Sequence, residues 1–296
     1  MTTPITSLDH VTVLTRDLPR AIDDTALLLG RQSSWRSHGD GVATAIFTLA
    51  NTSIEIVAPE GVGAQGDRVR ATLEERGEGL ASACFRVADI ERLVRRLTRL
   101  QLQPEAVTDA SSTDQLTGAV LRWRRTRIPP AATHGVRLFF LERADERPLS
   151  PPIDPTAVTG LDHLVITVAD AERAAALYGA KLGLDMRLDL SRADWGVRLM
   201  FFRCGDLIVE LARRLGEAPD APAAKDDKFM GLSWRVENAD AARARLAAAG
   251  FDVSEVRPGR KPHTRIFTVR HRTCGVPTLM IEPAPRRHVS VDATRA

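Results

Sequence analysis

The stretch Ile5-Thr-Ser-Leu-Asp-His-Val-Thr-Val13 occurs again later in the chain as Val158-Thr-Gly-Leu-Asp-His-Leu-Val-Ile166. Both copies contain Leu-Asp-His, and the two histidines, His10 and His163, are 153 positions apart. Each copy is short, apolar and rich in β-branched residues, which is typical of a β-strand. The repeat therefore predicts two copies of one fold, each of which begins with a strand.

The similarity between the two copies continues beyond this strand. Asp17 and Asp170 precede apolar segments with helical periodicity and are suited to cap a helix at its N-terminus. Gly30 and Gly183 follow those segments, at the position where a helix ends. Three strand-like segments come next in each half, and the whole order is then repeated. The chain is therefore predicted to contain four βαβββ modules, two in each half.

Composition and charge limit the classes of protein to consider. With 296 residues, the chain is long enough for two domains of roughly 100–200 residues each. The net charge of +3 is spread along the chain and does not indicate nucleic-acid binding. The sequence has no N-terminal signal and no apolar stretch of about 20 residues, and its three cysteines form no redox motif. We expect a cytoplasmic protein with no nucleic-acid and no membrane partner.

Proline and charged residues between positions 144 and 157 are typical of a linker. The two domains are therefore predicted to span residues 1–143 and 158–284. Residues 285–296 are predicted to be a loose tail. Within the first domain, residues 61–70 are predicted to be a long connection between the two modules.

Four βαβββ modules with histidine on the first strand and glutamate on the last resemble the vicinal oxygen chelate superfamily. This superfamily includes glyoxalase I, methylmalonyl-CoA epimerase, fosfomycin-resistance enzymes, extradiol dioxygenases and bleomycin-binding proteins. The resemblance covers nearly the whole chain. It implies an α+β fold with two glyoxalase-like domains, in each of which two modules form one curved mixed sheet around a pocket.

The resemblance also implies a set of metal ligands. The matching positions are a histidine on the first strand, a glutamate on the last strand and, in some members, a glutamate on the fourth strand. In this sequence they are His10, Glu55 and Glu142 in the first half, and His163, Glu210 and Glu282 in the second. Acidic residues inside apolar strands are costly unless they are paired or bind a metal. Imidazole and carboxylate donors suit a divalent Fe, Mn, Ni, Zn or Co ion.

The second half is the favoured site. Its predicted ligands are His163, Glu210 and Glu282, and the two glutamates are also the candidate catalytic groups. The predicted substrate-binding residues are Trp195, Phe201, Trp234, His263 and Arg265. The usual position of a further ligand falls on Ser82 and Gly231, neither of which is a good ligand. Alternatives stay open: a strand histidine can be purely structural, the glutamates can pair with arginines, and the aromatic residues can pack in the core.

Three functions are compatible with the resemblance. The first is a metal-dependent isomerase or lyase of glyoxalase type, in which the metal chelates a small oxygenated substrate and a carboxylate moves a proton. An extradiol-type dioxygenase is less favoured, because the single tyrosine, Tyr178, lies on a predicted helix. The third is a metal-free protein that binds a small ligand. We expect the first function, with a small-molecule substrate, in either a monomer or a homodimer.

Overall fold

The computed structural model, which describes residues 4–216 and 226–285, contains two eight-stranded mixed sheets. The first sheet comprises β1 (Ile5–Leu14), β2 (Trp35–Gly39), β3 (Val42–Thr48), β4 (Ser53–Pro59), β5 (Gly79–Val87), β6 (Thr108–Thr113), β7 (Val120–Arg127) and β8 (Leu138–Arg143). The second comprises β9 (Gly160–Thr167), β10 (Asp185–Arg192), β11 (Val197–Cys204), β12 (Leu207–Arg214), β13 (Lys228–Arg235), β14 (Arg257–Pro258), β15 (Arg265–Val269) and β16 (Thr278–Glu282). The strand order is β2-β3-β4-β1-β5-β8-β7-β6 in the first sheet, and the second repeats it. The predicted α+β fold with two glyoxalase-like domains is therefore confirmed.

The helices follow the predicted order, with one addition. They are α1 (Leu18–Leu29), α2 (Ala64–Arg76), α3 (Ile90–Arg99), α4 (Ala171–Ala175, which continues as a π-helix over Ala176–Lys181) and α5 (Ala239–Ala248). The predicted caps are confirmed, because the side chains of Asp17 and Asp170 accept hydrogen bonds from the backbone three residues later. Gly30 ends α1 in the left-handed conformation. Helix α2 occupies the segment that was predicted to be a connection. No helix in the described ranges is long and apolar enough to cross a membrane.

The two faces of each sheet have different neighbours. Because successive side chains on a strand point to opposite faces, one face packs against the module helices and carries the fully buried aromatic residues, such as Phe140 and Trp234. The opposite face carries His10 and His163. In the first domain, α2 lies over this histidine face. Its first turn approaches the β2–β3 turn closely, since a Cβ atom on Gly66 would lie 2.3 Å from the carbonyl oxygen of Gly41.

The first sheet is nearly closed into a barrel. Its edge strands β2 and β6 meet where the indole nitrogen of Trp35 donates to Ser112 Oγ (2.9 Å) and the backbone nitrogen of Arg36 donates to the Asp114 carboxylate (2.9 Å). The second sheet is more open, since its edge strand β14 has two residues. The first domain therefore encloses its histidine face in part, with α2 on one side and the two edges joined.

A buried carboxylate links the two domains. Asp227 accepts a hydrogen bond from the backbone nitrogen of Ala169 (2.9 Å), and its own backbone nitrogen donates to the carbonyl oxygen of His134 (2.7 Å). The nearest cation is Arg173, at 3.5 Å. The hydroxyl of Tyr178 is buried and has no hydrogen-bond partner among the described residues. Burial raises the pKa of Asp227 from 3.8 to about 6.

We predict that this carboxylate makes the protein less stable as the pH rises. The folded protein binds the Asp227 proton more tightly than the unfolded chain does, so the free energy of unfolding falls between about pH 4 and pH 6. At 1.36 kcal/mol per pKa unit, the loss is roughly 2–3 kcal/mol. Asp227→Asn keeps an oxygen that accepts from Ala169 and removes the charge. Urea unfolding at about pH 4.5 and about pH 7.5 is expected to show a smaller pH dependence in the variant than in the parent protein. Equal pH dependence in the two proteins would contradict the prediction.

Candidate functional site

Two side chains of the Leu-Asp-His motif, Asp9 and His10, form a row with Glu55 of β4. Asp9 Oδ1 lies 2.7 Å from Nδ1 of His10, and Nε2 of the same ring lies 3.4 Å from Oε2 of Glu55 on β4. A carboxylate at Nδ1 favours the tautomer that carries its proton there. The ring is thereby oriented with the basic Nε2 toward Glu55. The aspartate of the repeated motif thus has a role that the sequence did not reveal.

The second domain repeats this row at longer distances. Asp162 Oδ2 lies 2.9 Å from Nδ1 of His163, and Nε2 lies 3.7 Å from Oε2 of Glu210 on β12. The two strands that carry the histidine and the glutamate are parallel neighbours in both sheets. The duplicated sequence therefore places an Asp-His-Glu row at the same point of each domain.

Two arginines complete the row in the first domain. Arg143 binds both carboxylate oxygens of Asp9, with distances of 2.5 Å for Nε to Oδ2 and for Nη2 to Oδ1. Arg147 donates from Nη2 to Glu55 Oε1, and its side chain is only 7% exposed. Nε and Nη1 of Arg147 have no hydrogen-bond partner among the residues that the structure describes. Nη1 lies 3.8 Å from Asp9 Oδ1, too far for a hydrogen bond. A buried guanidinium with two donors that make no hydrogen bond is therefore present near His10.

The charges around the two glutamates have opposite consequences. Burial disfavours ionised Glu55, but His10 and Arg147 outweigh it and lower the pKa of this carboxyl. Burial likewise opposes ionised Asp9, and hydrogen bonds from His10 and Arg143 hold its pKa well below the usual range. At Glu210 burial dominates and raises the pKa, because the charges of His163 and Arg260 only partly offset it. The first domain thus holds two ionised carboxylates against two guanidinium groups.

A cavity of 590 Å³ lies between the first sheet and α2. His10, Glu55 and Arg147 lie together on its wall. Trp123 and Phe139 add aromatic surface from β7 and β8. Ser82, the predicted position of a further ligand, lines the same cavity, as do Cys84 and Leu141. The cavity is large enough for a small organic ligand, which needs about 300–1,000 Å³.

The predicted glutamates of the last strands lie on the other face of their sheets. Glu142 Oε2 accepts a hydrogen bond from the backbone nitrogen of Ile90 (2.8 Å), and Glu282 Oε2 accepts one from that of Ala239 (2.8 Å). Both therefore cap a helix N-terminus, where a carboxylate is favourable. The residue one position earlier in β8, Leu141, takes the histidine face instead. The structure does not bring Glu282 to His163 and Glu210, nor Glu142 to His10.

Two of the predicted substrate-binding residues lie near the second row. Phe201 is the direct cross-strand neighbour of Glu210 and is half-buried. Trp195 lies in a short turn after β10, and the guanidinium of Arg260 stacks on its ring at 4.3 Å. Arg260 lies in the loop before β15, and its charge also acts on Glu210. This loop therefore contributes a cation near the second row.

The other three predicted substrate-binding residues lie elsewhere. Trp234 is 1% exposed and packs in the core on the helix side. Arg265 pairs with Asp240 of α5 at 2.7 Å, also on that side. His263 is an exposed turn residue with a positive φ angle of 63°. These three side chains therefore do not belong to the row of His163.

The side chains in place do not fit the metal site that the resemblance implied. In the first domain, Arg147 holds Glu55, Asp9 holds His10, and the third ligand position is Leu141. In the second domain, His163 and Glu210 remain, while Glu282 is turned away. In the part of the chain that the structure describes, no group of three or more histidine, cysteine, aspartate or glutamate side chains is arranged to hold a metal ion. Neither predicted ligand set is therefore assembled.

Comparison with known proteins places this fold in a family. A family model described as "Glyoxalase-like domain" matches residues 8–183, and one described as "Glyoxalase/Bleomycin resistance protein/Dioxygenase superfamily" matches residues 162–267. The ethylmalonyl-CoA/methylmalonyl-CoA epimerase of Cereibacter sphaeroides is 35% identical over 97 residues, which are 31% of this chain and 72% of that protein.

Two solved structures resemble the whole chain. A mutant of 4-hydroxymandelate synthase from Streptomyces coelicolor has a TM-score of 0.67 at 13% identity, over 95% of this chain and 94% of that one. BphC, a halotolerant catechol dioxygenase, has a TM-score of 0.62 at 14% identity, over 94% of this chain and 86% of that one. At this identity the likeness shows the fold alone. Together with the family models, it shows that the chain belongs to the glyoxalase-like family, as a two-domain member of the vicinal oxygen chelate superfamily.

Proposed function

We propose that the first domain is an isomerase that moves a proton on a carbon next to a carbonyl group of a small anionic substrate. The observation that carries this proposal is the buried guanidinium of Arg147, which lines the cavity with His10 and whose Nε and Nη1 have no hydrogen-bond partner among the described residues. Buried donors without a partner are costly, and an anionic oxygen is their strongest complement. The bound substrate would supply that oxygen.

Each group in the row has a role in this reaction. Arg147 hydrogen-bonds the carbonyl oxygen, and Nε2 of His10 takes the proton from the adjacent carbon. The electron pair of the broken C–H bond moves onto the oxygen, where the guanidinium stabilises the negative charge of the enolate. Asp9 stabilises the imidazolium that forms. The enolate then turns, so that His10 returns the proton to the opposite face of the same carbon, which inverts that carbon and restores the neutral imidazole. Glu55 keeps Arg147 in position.

The balance of charge supports this direction of proton transfer. Asp9 and Glu55 offset Arg143 and Arg147, so the row is neutral while His10 is neutral. The positive charge that His10 gains with the proton then matches the negative charge of the enolate. The reaction therefore creates no net charge inside the buried row beyond that of the bound substrate.

A second candidate is metal-dependent chemistry of the same type in the second domain, as the resemblance implies. It is favoured by the paired donors of His163 and Glu210, which lie 3.7 Å apart beside the half-buried Phe201. It is disfavoured by the position of Glu282 at the start of α5. The two candidates differ in which histidine is essential and in whether a chelator removes activity.

Exchange of carbon-bound protons with solvent tests both candidates. The protein is incubated in D₂O with methylmalonyl-CoA, which the name of the related epimerase gives as a substrate, and in a separate sample with short 2-oxo acids. Deuterium uptake at carbon is followed by NMR. We expect exchange that survives EDTA and His163→Gln and is lost in His10→Gln. Exchange that survives His10→Gln but is lost in His163→Gln or in EDTA would favour the second domain. Tight binding of a probe without exchange would favour a binding protein over an enzyme.

A further inference from the structure

We propose that the cavity of the first domain contains a second anion-binding subsite, formed by Arg125 and Arg127 of β7 and by Arg137, which directly precedes β8. Together these three residues form the outer arginine cluster. The proposal rests on the proposed function, since it places the substrate in the same cavity with the oxygen that becomes the enolate on Arg147, a position that a carboxylate can also occupy. It adds the substrate class: an organic molecule with an anionic group at each end and an apolar middle.

The direction of the side chains on β7 supports the cluster. Arg125 and Arg127 line the cavity together with Trp123, as residues two apart on a strand share a face. Arg124 points to the other face, where it pairs with Glu91 of α3. The run of arginines on this strand is thus divided between two surfaces, and only one of them is the cavity wall.

The positive charge of the outer arginine cluster is only partly offset by neighbouring carboxylates. Arg127 pairs with Glu105, with 2.7 Å from Nε to Oε1. The guanidinium of Arg137 donates to the neutral hydroxyl of Thr72 (3.1 Å). Burial and the charge of Arg76 lower its pKa, and the charge of Glu75 offsets this only in part. The guanidinium of Arg125 has no hydrogen bond or ion pair with any residue in the described ranges. Arg125 and Arg137 therefore face the cavity without an ion pair to a carboxylate in the described part of the chain.

The distance between the two cationic ends limits the length of the ligand. Arg147 pairs with Glu55 on β4. Arg137 lies just before β8, and its carbonyl oxygen accepts a hydrogen bond from the backbone nitrogen of Ala83 on β5. The strand order from β4 to β8 crosses three neighbouring pairs, which is about 14 Å along the sheet and less across its curved interior. The wall between the two ends includes Phe139 and Trp123. A chain or ring of apolar atoms between two anionic groups matches this arrangement.

The test compares ligands that differ in the second charge. Suberate has a carboxylate at each end, and octanoate has the same length with only one carboxylate. In the third ligand, the ω-phosphono analogue of octanoate, a phosphonate takes the place of the second carboxylate of suberate. Their dissociation constants are measured by titration calorimetry on the full-length protein. We expect the two dianions to bind at least about tenfold more tightly than octanoate, and the better of the two identifies the distal group. Their advantage is expected to shrink as the salt concentration rises.

Variants separate this subsite from the proposed function. Arg125→Gln with Arg137→Gln is expected to abolish the advantage of the dianions and to leave octanoate binding unchanged, whereas Arg124→Gln on the other face is expected to change neither. Arg147→Met is expected to remove the binding of all three ligands. A dianion advantage that is absent in the parent protein, or that persists in the double variant, overturns the subsite and leaves the proposed function standing. If no ligand binds in a way that depends on Arg147, both the subsite and the proposed function are overturned.

Discussion

Replacement of Arg147 with methionine is expected to reduce proton exchange by at least about 100-fold. Methionine fills similar apolar space but has no donor for the oxygen on which negative charge develops. The loss of one preorganised donor at such an oxygen typically costs a factor of about 10²–10³ in rate. The substitution also removes the partner of Glu55, whose pKa Arg147 helps to lower, so this carboxyl becomes easier to protonate.

Two comparisons show whether the loss is specific. Arg122→Met removes a guanidinium that pairs with Asp145 at the surface, and it is expected to leave the exchange rate unchanged. Arg147→Ala leaves a gap in which free methylguanidinium, at low millimolar concentration, is expected to restore part of the exchange. The measurement is the same NMR assay, with circular dichroism to confirm that each variant is folded. A folded Arg147→Met protein with the exchange rate of the parent would rule out Arg147 as the electrophilic group.

The repeated motif allowed the fold to be predicted because its signals are local. The strand, the capping aspartate and the glycine that ends the helix lie within one segment of sequence, and each has its own physical preference. Asp17 caps α1 and Gly30 ends it, as predicted. Helix α2 ends at Gly77 but has no side-chain cap at its N-terminus, Gly66 lies in its first turn, and few of its residues are buried. Its position depends on close packing against Gly41, which is a tertiary contact and is invisible in local sequence.

The site was only partly predictable, for two reasons. The first is that a shift of one residue along a strand moves a side chain to the opposite face, so the resemblance matched Glu142 where Leu141 lines the cavity. The second is that Arg147 comes from the segment predicted to be a linker, and no spacing rule connects it to Glu55. The aspartate in Leu-Asp-His was the one available signal, because it precedes the histidine in both copies.

The choice of the second domain as the favoured site rested on its aromatic residues. Of these, Trp234 is fully buried in the core, as large apolar side chains usually are. The cavity that contains an Asp-His-Glu row's histidine and glutamate lies instead in the first domain, where α2 covers part of the sheet. The number of aromatic residues in a sequence therefore did not distinguish a ligand-binding wall from ordinary packing, since both require the same side chains.

The substitution Asp9→Asn is expected to lower the free energy of unfolding by about 3–5 kcal/mol. Asp9 and Arg143 form a buried ion pair with two hydrogen bonds, and their side chains are 4% and 2% exposed. The amide of asparagine leaves the charge of Arg143 buried without a counterion. Because the pKa of Asp9 lies well below its usual value, the contribution of this pair is present above about pH 4 and is lost as the pH falls.

The duplication supplies a matched control for this prediction. Asp162 occupies the same position in the second Leu-Asp-His motif, but it and its partner Arg235 are 25% and 21% exposed, and Arg235 also pairs with Asp206. Asp162→Asn is therefore expected to cost only about 1 kcal/mol in urea unfolding at neutral pH. Replacement of the whole first pair by Asp9→Leu with Arg143→Met is expected to recover much of the stability lost in Asp9→Asn, because no charge is then left buried. Equal losses for Asp9→Asn and Asp162→Asn would show that the buried pair does not stabilise the first domain in this way.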